Sequence, residues 1–244
     1  MSEFSRAMSP QRARRAAALA ACATLLFGAP LGQAAQVATE TRSVADFEAV
    51  VLAVPAELSI EQGPRETLTL ACEPAVLRQL TTQVRGQQLV VGPASSRLET
   101  QQPIRIRLGV RALRSVESRA PSVIRTGPLR TDSLALVLAG GGSVRIDRLE
   151  DARSLNVQIT GAGEVAIGGG EVRAQQLAIR GVGRYAAPRL ASDNADVAID
   201  GQGEVQLAAR TTLAVRIGGI GHVRYQGDPA VTRSIRGIGS VEKD

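Results

Sequence analysis

Six Gly-x-Gly triplets punctuate the C-terminal half of the sequence, each inside the same frame of alternating apolar residues. They are Gly140 and Gly142, Gly161 and Gly163, Gly181 and Gly183, Gly201 and Gly203, Gly219 and Gly221, and Gly237 and Gly239. The first glycines are separated by 21, 20, 20, 18 and 18 residues. Two positions before them stand Leu138, Ile159, Ile179, Ile199, Ile217 and Ile235. Four positions before them stand Leu136, Val157, Leu177, Val197 and Val215, and four after them Val144, Val165, Tyr185, Val205, Val223 and Val241. A spacing of two is the period of a β-strand, so these residues face one side.

A repeat of this length cannot bury its apolar face alone, but stacked copies can. The frame therefore predicts an all-β fold, a right-handed parallel β-helix (a solenoid) with coils of about 18–21 residues and Gly-x-Gly corners. The hand is expected from that of parallel β crossovers. A register slip of one residue would turn every Ile and Val outward, so stacking in register is expected. The glycines are expected to supply a tight bend with positive φ, which a Cβ resists. The near absence of aromatics (three Phe, two Tyr, no Trp) suits a narrow interior filled by Val, Ile, Leu and Ala. A degenerate seventh copy is expected at Ala120-Pro121-Ser122-Val123, aligned with Gly141-Gly142-Ser143-Val144.

Residues 1–34 read as a signal peptide. Arg12, Arg14 and Arg15 precede the apolar run Ala16–Phe27, and Gly32 and Ala34 suit cleavage after Ala34. Leu19-Ala20-Ala21-Cys22 resembles a lipobox, so a membrane anchor is expected only if Cys22 is lipidated. The apolar run continues past it through Phe27, which favours a cysteine inside that run. The expected location is periplasmic or cell-surface, in a bacterium of Gram-negative type. Residues 35–43 read as a tail, 44–113 as irregular lead-in coils of the solenoid, and 114–244 as the regular coils. An independent small β-domain is the alternative for 44–113. A short helix is expected after Pro74.

After cleavage one cysteine, Cys72, remains, within the strand-like Thr67–Cys72, and reads as buried and inert. Removing residues 1–34 takes away four Arg and one Glu, leaving 25 basic against 22 acidic residues. The basic residues form no cluster with interleaved aromatics, which excludes a nucleic-acid binder of the usual kind.

The residue after each second glycine is expected to face solvent: Ser143, Glu164, Arg184, Glu204, His222 and Ser240. Alternating charges there read as stabilising rungs, and His222 has no companion ligand for a metal. The middle residues of the triplets turn apolar toward the C-terminus. Val182, Ile220 and Ile238 are therefore candidates for a partner surface, with tucking into the corner as the other reading. An open last coil would be an unpaired edge, to be capped or used for assembly. No cofactor and no catalytic residue is expected. Asp193, Asp196 and Asp200 form a close acidic group, and the alternation around them points Asp196 and Asp200 to solvent. A polysaccharide-active β-helix enzyme is the alternative function, since that chemistry needs two opposed carboxylates or a metal with a base. Glycine-rich calcium rolls need Asp at every turn and are excluded.

The frame Ile-x-Gly-x-Gly-x-Val is preceded by Phe47-Glu48-Ala49-Val50 and Leu58-Ser59-Ile60-Glu61-Gln62-Gly63, and the late stretch Val223–Pro229 runs out of its fifth copy. With Leu89-Val90-Val91 it resembles the putative autotransporter-adhesin head GIN domain family over roughly residues 44–242. The resemblance implies a β-helical envelope protein. The long repetitive faces of a solenoid lead to the expectation of a non-enzymatic binding, adhesion-like or scaffolding role toward an envelope protein or glycan. It brings no catalytic residues.

Overall fold

Phe47 to Gln62, the first apolar stretch of the solenoid, is not its first coil in space. The computed structural model describes residues 37–95, 98, 100 and 102–244, within the compact unit Ala35–Asp244. The segment read as a signal peptide, residues 1–34 with Cys22, lies outside the described residues. β1 (Ala38–Arg42) leads to β2 (Ala49–Leu52) and β3 (Ala56–Gln62). β4 (Thr67–Cys72), a one-turn helix α1 (Pro74–Leu77), β5 (Leu80–Arg85), β6 (Gln88–Pro93) and β7 (Ile104–Val110) follow. β8 (Ser115–Ser118) and β9 (Ser122–Arg130) complete this part. β2 pairs in parallel with both β6 and β8, and β3 with both β7 and β9. The β2–β3 coil is thus inserted between two coils that come later in the chain. Residues 44–113 share one continuous sheet with the regular coils.

The N-terminal end is covered by strands of opposite direction. β4 runs antiparallel to β7, β1 antiparallel to β4, and β5 antiparallel to β6. The segment expected as a tail therefore contributes a strand, β1. Its Arg42 donates to the carbonyls of Leu80 at 2.7 Å and Leu77 at 2.9 Å, fastening α1 to the sheet. β5 and β6 are joined by Gly86-Gln87, both with positive φ (52° and 64°), the conformation a two-residue hairpin needs.

The regular part runs through β10 (Ser133–Leu138), β11 (Gly141–Ile159), β12 (Ala162–Ile167), β13 (Gly170–Ile179) and β14 (Val182–Ile199). It ends in β15 (Gln202–Ile217), β16 (Ile220–Gln226), β17 (Ala230–Ile235) and β18 (Ile238–Lys243). Every pairing among them is parallel. Leu138, Ile159, Ile179, Ile199, Ile217 and Ile235 form one column in strict register. The first five are buried, each contributing about 1.5–3 kcal/mol of transfer free energy. The chain folds as the β-solenoid the repeat predicts.

The changes in repeat length sit at bulges. Between Leu149 and Ala152 the chain uses three residue steps where the next coil uses two, Gly170 to Val172. The extra residue is taken up around Asp151, whose φ is 57°, a conformation Asp tolerates better than most residues. From Ala187 to Asn194 the chain takes seven steps where the next coil, Leu207 to Thr212, takes five. That accounts for the fall from 20 to 18.

Two expectations about the corners are corrected. Of the twelve triplet glycines, Gly142 alone has positive φ (115°). The others are glycine because of close approach. A Cβ on Gly161, Gly181, Gly201, Gly219 or Gly237 would drive into the carbonyl oxygen of the first glycine one coil below, and one on Gly140 into the Ala120 backbone. A Cβ on Gly163 would stand 2.8 Å from Leu138 Cδ2, and one on Gly183, Gly203 or Gly221 would press on the isoleucine column at 2.8–3.0 Å. A Cβ on Gly239 would meet the Gly221 backbone. The seventh copy exists, but one residue out of the expected register. Gly142 pairs with Ser122 and Val144 with Ile124, because Ile124, not Val123, is the buried residue.

Candidate functional site: the corner flank and the last coil

Strand alternation sends the residue after each second glycine outward, and the stacking turns these residues into a ladder. Arg184 donates to Glu204 at 2.5 Å, and Arg224 reaches the other oxygen of Glu204 at 3.0 Å. His222 Nδ1 lies 3.2 Å from Ser240 Oγ. Glu164 makes no ion pair with a described residue. Next to this ladder runs the column of middle residues, paired Ala162–Val182–Gln202–Ile220–Ile238. Val182 is 57% exposed, Ile220 42% and Ile238 70%. They do not tuck into the corner. Ala162, Val182, Arg184, Gln202, Glu204 and Ile220 line an open trough of about 520 Å³.

The last coil differs from all others. β17 pairs with β15 and β18 with β16, and no described strand lies on their far sides. Ile235 and Val231 occupy core columns, above the buried Ile217 and Leu213. With nothing above them they are 39% and 37% exposed. Arg233 stands in the core column above Val215, an inward charge of the kind that protects sheet edges. Lys243 pairs with Asp228 beside it, and this hydrogen bond raises the ammonium pKa.

No catalytic constellation appears among the described residues. The Asp196 carboxylate accepts from Arg216 at 2.7 Å, and Asp193 lies 3.9 Å from Arg210. Cys72 is buried; burial pushes its thiol pKa up, and the adjacent Glu73 acts in the same direction. The interior does hold one polar network that the repeat pattern did not reveal. Tyr185 donates to Gln175 Oε1 at 2.8 Å, and Gln175 Nε2 donates to Ser192 Oγ at 2.8 Å. Ser192 donates to the Ala208 carbonyl at 2.7 Å. Each donor is satisfied and the group is sealed from solvent, so it is a packing element.

Solved structures share this architecture. A putative adhesin from Bacteroides fragilis superposes with a TM-score of 0.79 at 21% identity, covering 86% of this chain and 97% of that one. A putative lipid binding protein from Parabacteroides distasonis gives 0.66 at 20% identity, with 85% and 96% covered. A putative adhesin from Parabacteroides merdae gives 0.66 at 18% identity, with 86% and 96% covered. At these identities the likeness concerns the fold. No curated protein matches the sequence. Residues 46–229 match the family described as "Putative auto-transporter adhesin, head GIN domain", and the chain belongs to that family.

Proposed function

We propose that the chain is a non-enzymatic adhesion-type binding module of the bacterial envelope, and that it holds a protein partner at its last coil. Residues 1–34 serve as its export signal in this reading. The observation that carries it is Ile235, a core-column residue left 39% exposed on a strand with an unpaired edge. A strand of the partner adds to β17 or β18, its main chain satisfying the free N–H and C=O groups, while Val231, Ile235 and Ile238 take its apolar side chains. Arg233 asks for a carboxylate on that strand. Two copies meeting edge to edge would instead bring Arg233 toward Arg233, which favours a different protein over a second copy. Neutral sugars, unlike acidic ones, are held largely by stacking on aromatic rings, and among the described aromatics Phe47 and Tyr185 are buried and Tyr225 is half-buried against the core.

The test is titration of the purified chain with the envelope protein it captures, itself purified, beside Ile235→Asp/Ile238→Asp and Val182→Asp variants. Saturable binding abolished by the double substitution and kept by Val182→Asp is expected. Binding unchanged by the double substitution overturns the reading. A reversible self-association abolished by it assigns the edge to a second copy.

A further inference from the structure

Many exposed arginines of this solenoid pair with acids: Arg184 with Glu204, Arg216 with Asp196, Arg153 with Asp132, Arg114 with Glu48. One column instead sets arginine against arginine. Arg125 of β9 lies in direct parallel register with Arg145 of β11. One coil toward the N-terminal end, Arg125 pairs with Ser59, and Ser59 pairs in turn with Arg107. All three arginines are exposed, and none has an ion pair or side-chain hydrogen bond to a described residue. Like charges directly opposite on neighbouring strands are unfavourable, and no carboxylate of a described residue offsets this pair. Toward the C-terminal end it continues as Ala166 and Ala186. Arg125 and Arg145 share a shallow concavity of about 360 Å³ with Val123, Ser143, Glu164 and Ala166.

We propose that this arginine column binds an acidic polysaccharide, its guanidinium forks taking carboxylate or sulfate groups two oxygens at a time. Arg125 and Arg145 stand one rung apart, about 4.8 Å, and Arg107 about 10 Å further along the axis. A linear chain with anionic groups at intervals meets that geometry. The column is one residue wide. Glu57 and Glu164 occupy positions two residues before it and Glu61 and Asp147 two after it. These flanking carboxylates repel a flat anionic membrane but leave room for a single strand. Nucleic acid, the other linear polyanion, is held with base stacking on aromatics, and no aromatic among the described residues lies on this face. The site is remote from the last coil and independent of it.

The experiment is calorimetric titration of the purified chain with polygalacturonate, dextran sulfate and neutral dextran, at low and raised salt. Binding to one or both acidic polymers, weakening with salt, and none to neutral dextran is expected; the two acidic polymers tell carboxylate from sulfate. Arg125→Ser/Arg145→Ser is expected to lose at least about tenfold in affinity, more than one bidentate contact. Arg180→Ser/Arg236→Ser, with the same change in net charge, is expected to match the parent. Glu164→Gln is expected to bind more tightly. Equal affinity of the two double variants overturns the proposal, as does tighter, equally Arg125/Arg145-dependent binding of single-stranded DNA or anionic vesicles. Unchanged melting of the variants confirms that the fold survives.

Discussion

Ile159 and Ile179 lie in register across adjacent parallel strands of β11 and β13, both with 0% exposure. Each coil supplies one such residue, and each is covered by the coil above. The exception is Ile235, which nothing described covers. The same column that holds the fold together ends as the apolar surface assigned to a partner.

Shortening the column in its middle should therefore cost far more than shortening it at its end. Ile179→Ala should destabilise by about 2–5 kcal/mol, as for other buried large-to-small changes. Ile235→Ala, already part-exposed, should cost less than about 1 kcal/mol. Urea unfolding of both variants beside the parent checks the ratio.

The first glycine of a triplet should be intolerant of alanine for a steric reason. In Gly201→Ala the new Cβ meets the Gly181 carbonyl, which is backbone and cannot swing aside. A loss of about 1–3 kcal/mol or more is expected. Gly63→Ala, with nothing near its Cβ, should stay within about 0.5 kcal/mol of the parent. Thermal melting of the pair separates close approach from glycine's general flexibility.

Alkaline pH should loosen the fold. Burial raises the pKa of the Cys72 thiol and, more strongly, of the Tyr185 phenol. A group whose acid form is favoured by folding adds stability below its unfolded pKa and loses it as pH rises through the folded value. For Cys72 the decline begins above about 8.5, and for Tyr185 above about 10. Chemical denaturation between pH 7 and pH 11 should show it, and Cys72→Ala should remove the earlier part. The thiol of the native chain should stay inert to a thiol reagent until denaturant is added.

The exposed charge ladder should matter little. Glu204→Gln removes the acceptor shared by Arg184 and Arg224. Each exposed ion pair contributes at most about 1 kcal/mol, less in salt. A melting shift that shrinks with added salt is expected.

Much of this was legible in the sequence because a repeat aligns itself. The spacing of Ile159, Ile179 and Ile199 announced both period and facing, whereas the sequence left open whether Val182, Ile220 and Ile238 tuck into the corner, and the structure exposes them. What stayed hidden depended on contacts between coils. The triplet glycines suggested left-handed bends, whereas five of the six first glycines are required by a carbonyl one coil away, which no single repeat displays. Ser122 concealed the seventh copy because it fills a glycine position without being glycine. The insertion of β2–β3 between later coils follows from long-range pairing, and the weak periodicity of residues 44–113 carries no record of it. The arginine column was equally invisible, since Arg125, Arg145 and Arg107 become neighbours only when the coils stack.

Hydrogen–deuterium exchange across β15, β17 and β18, on the chain alone and with its captured partner, tests the central claim most directly. The account predicts that β17 and β18 amides exchange fast in the free chain and slow markedly on binding, while those around Ile217 in β15 are slow throughout. Protection of β17 and β18 already present in the free chain, or protection on binding confined to another face, would contradict it.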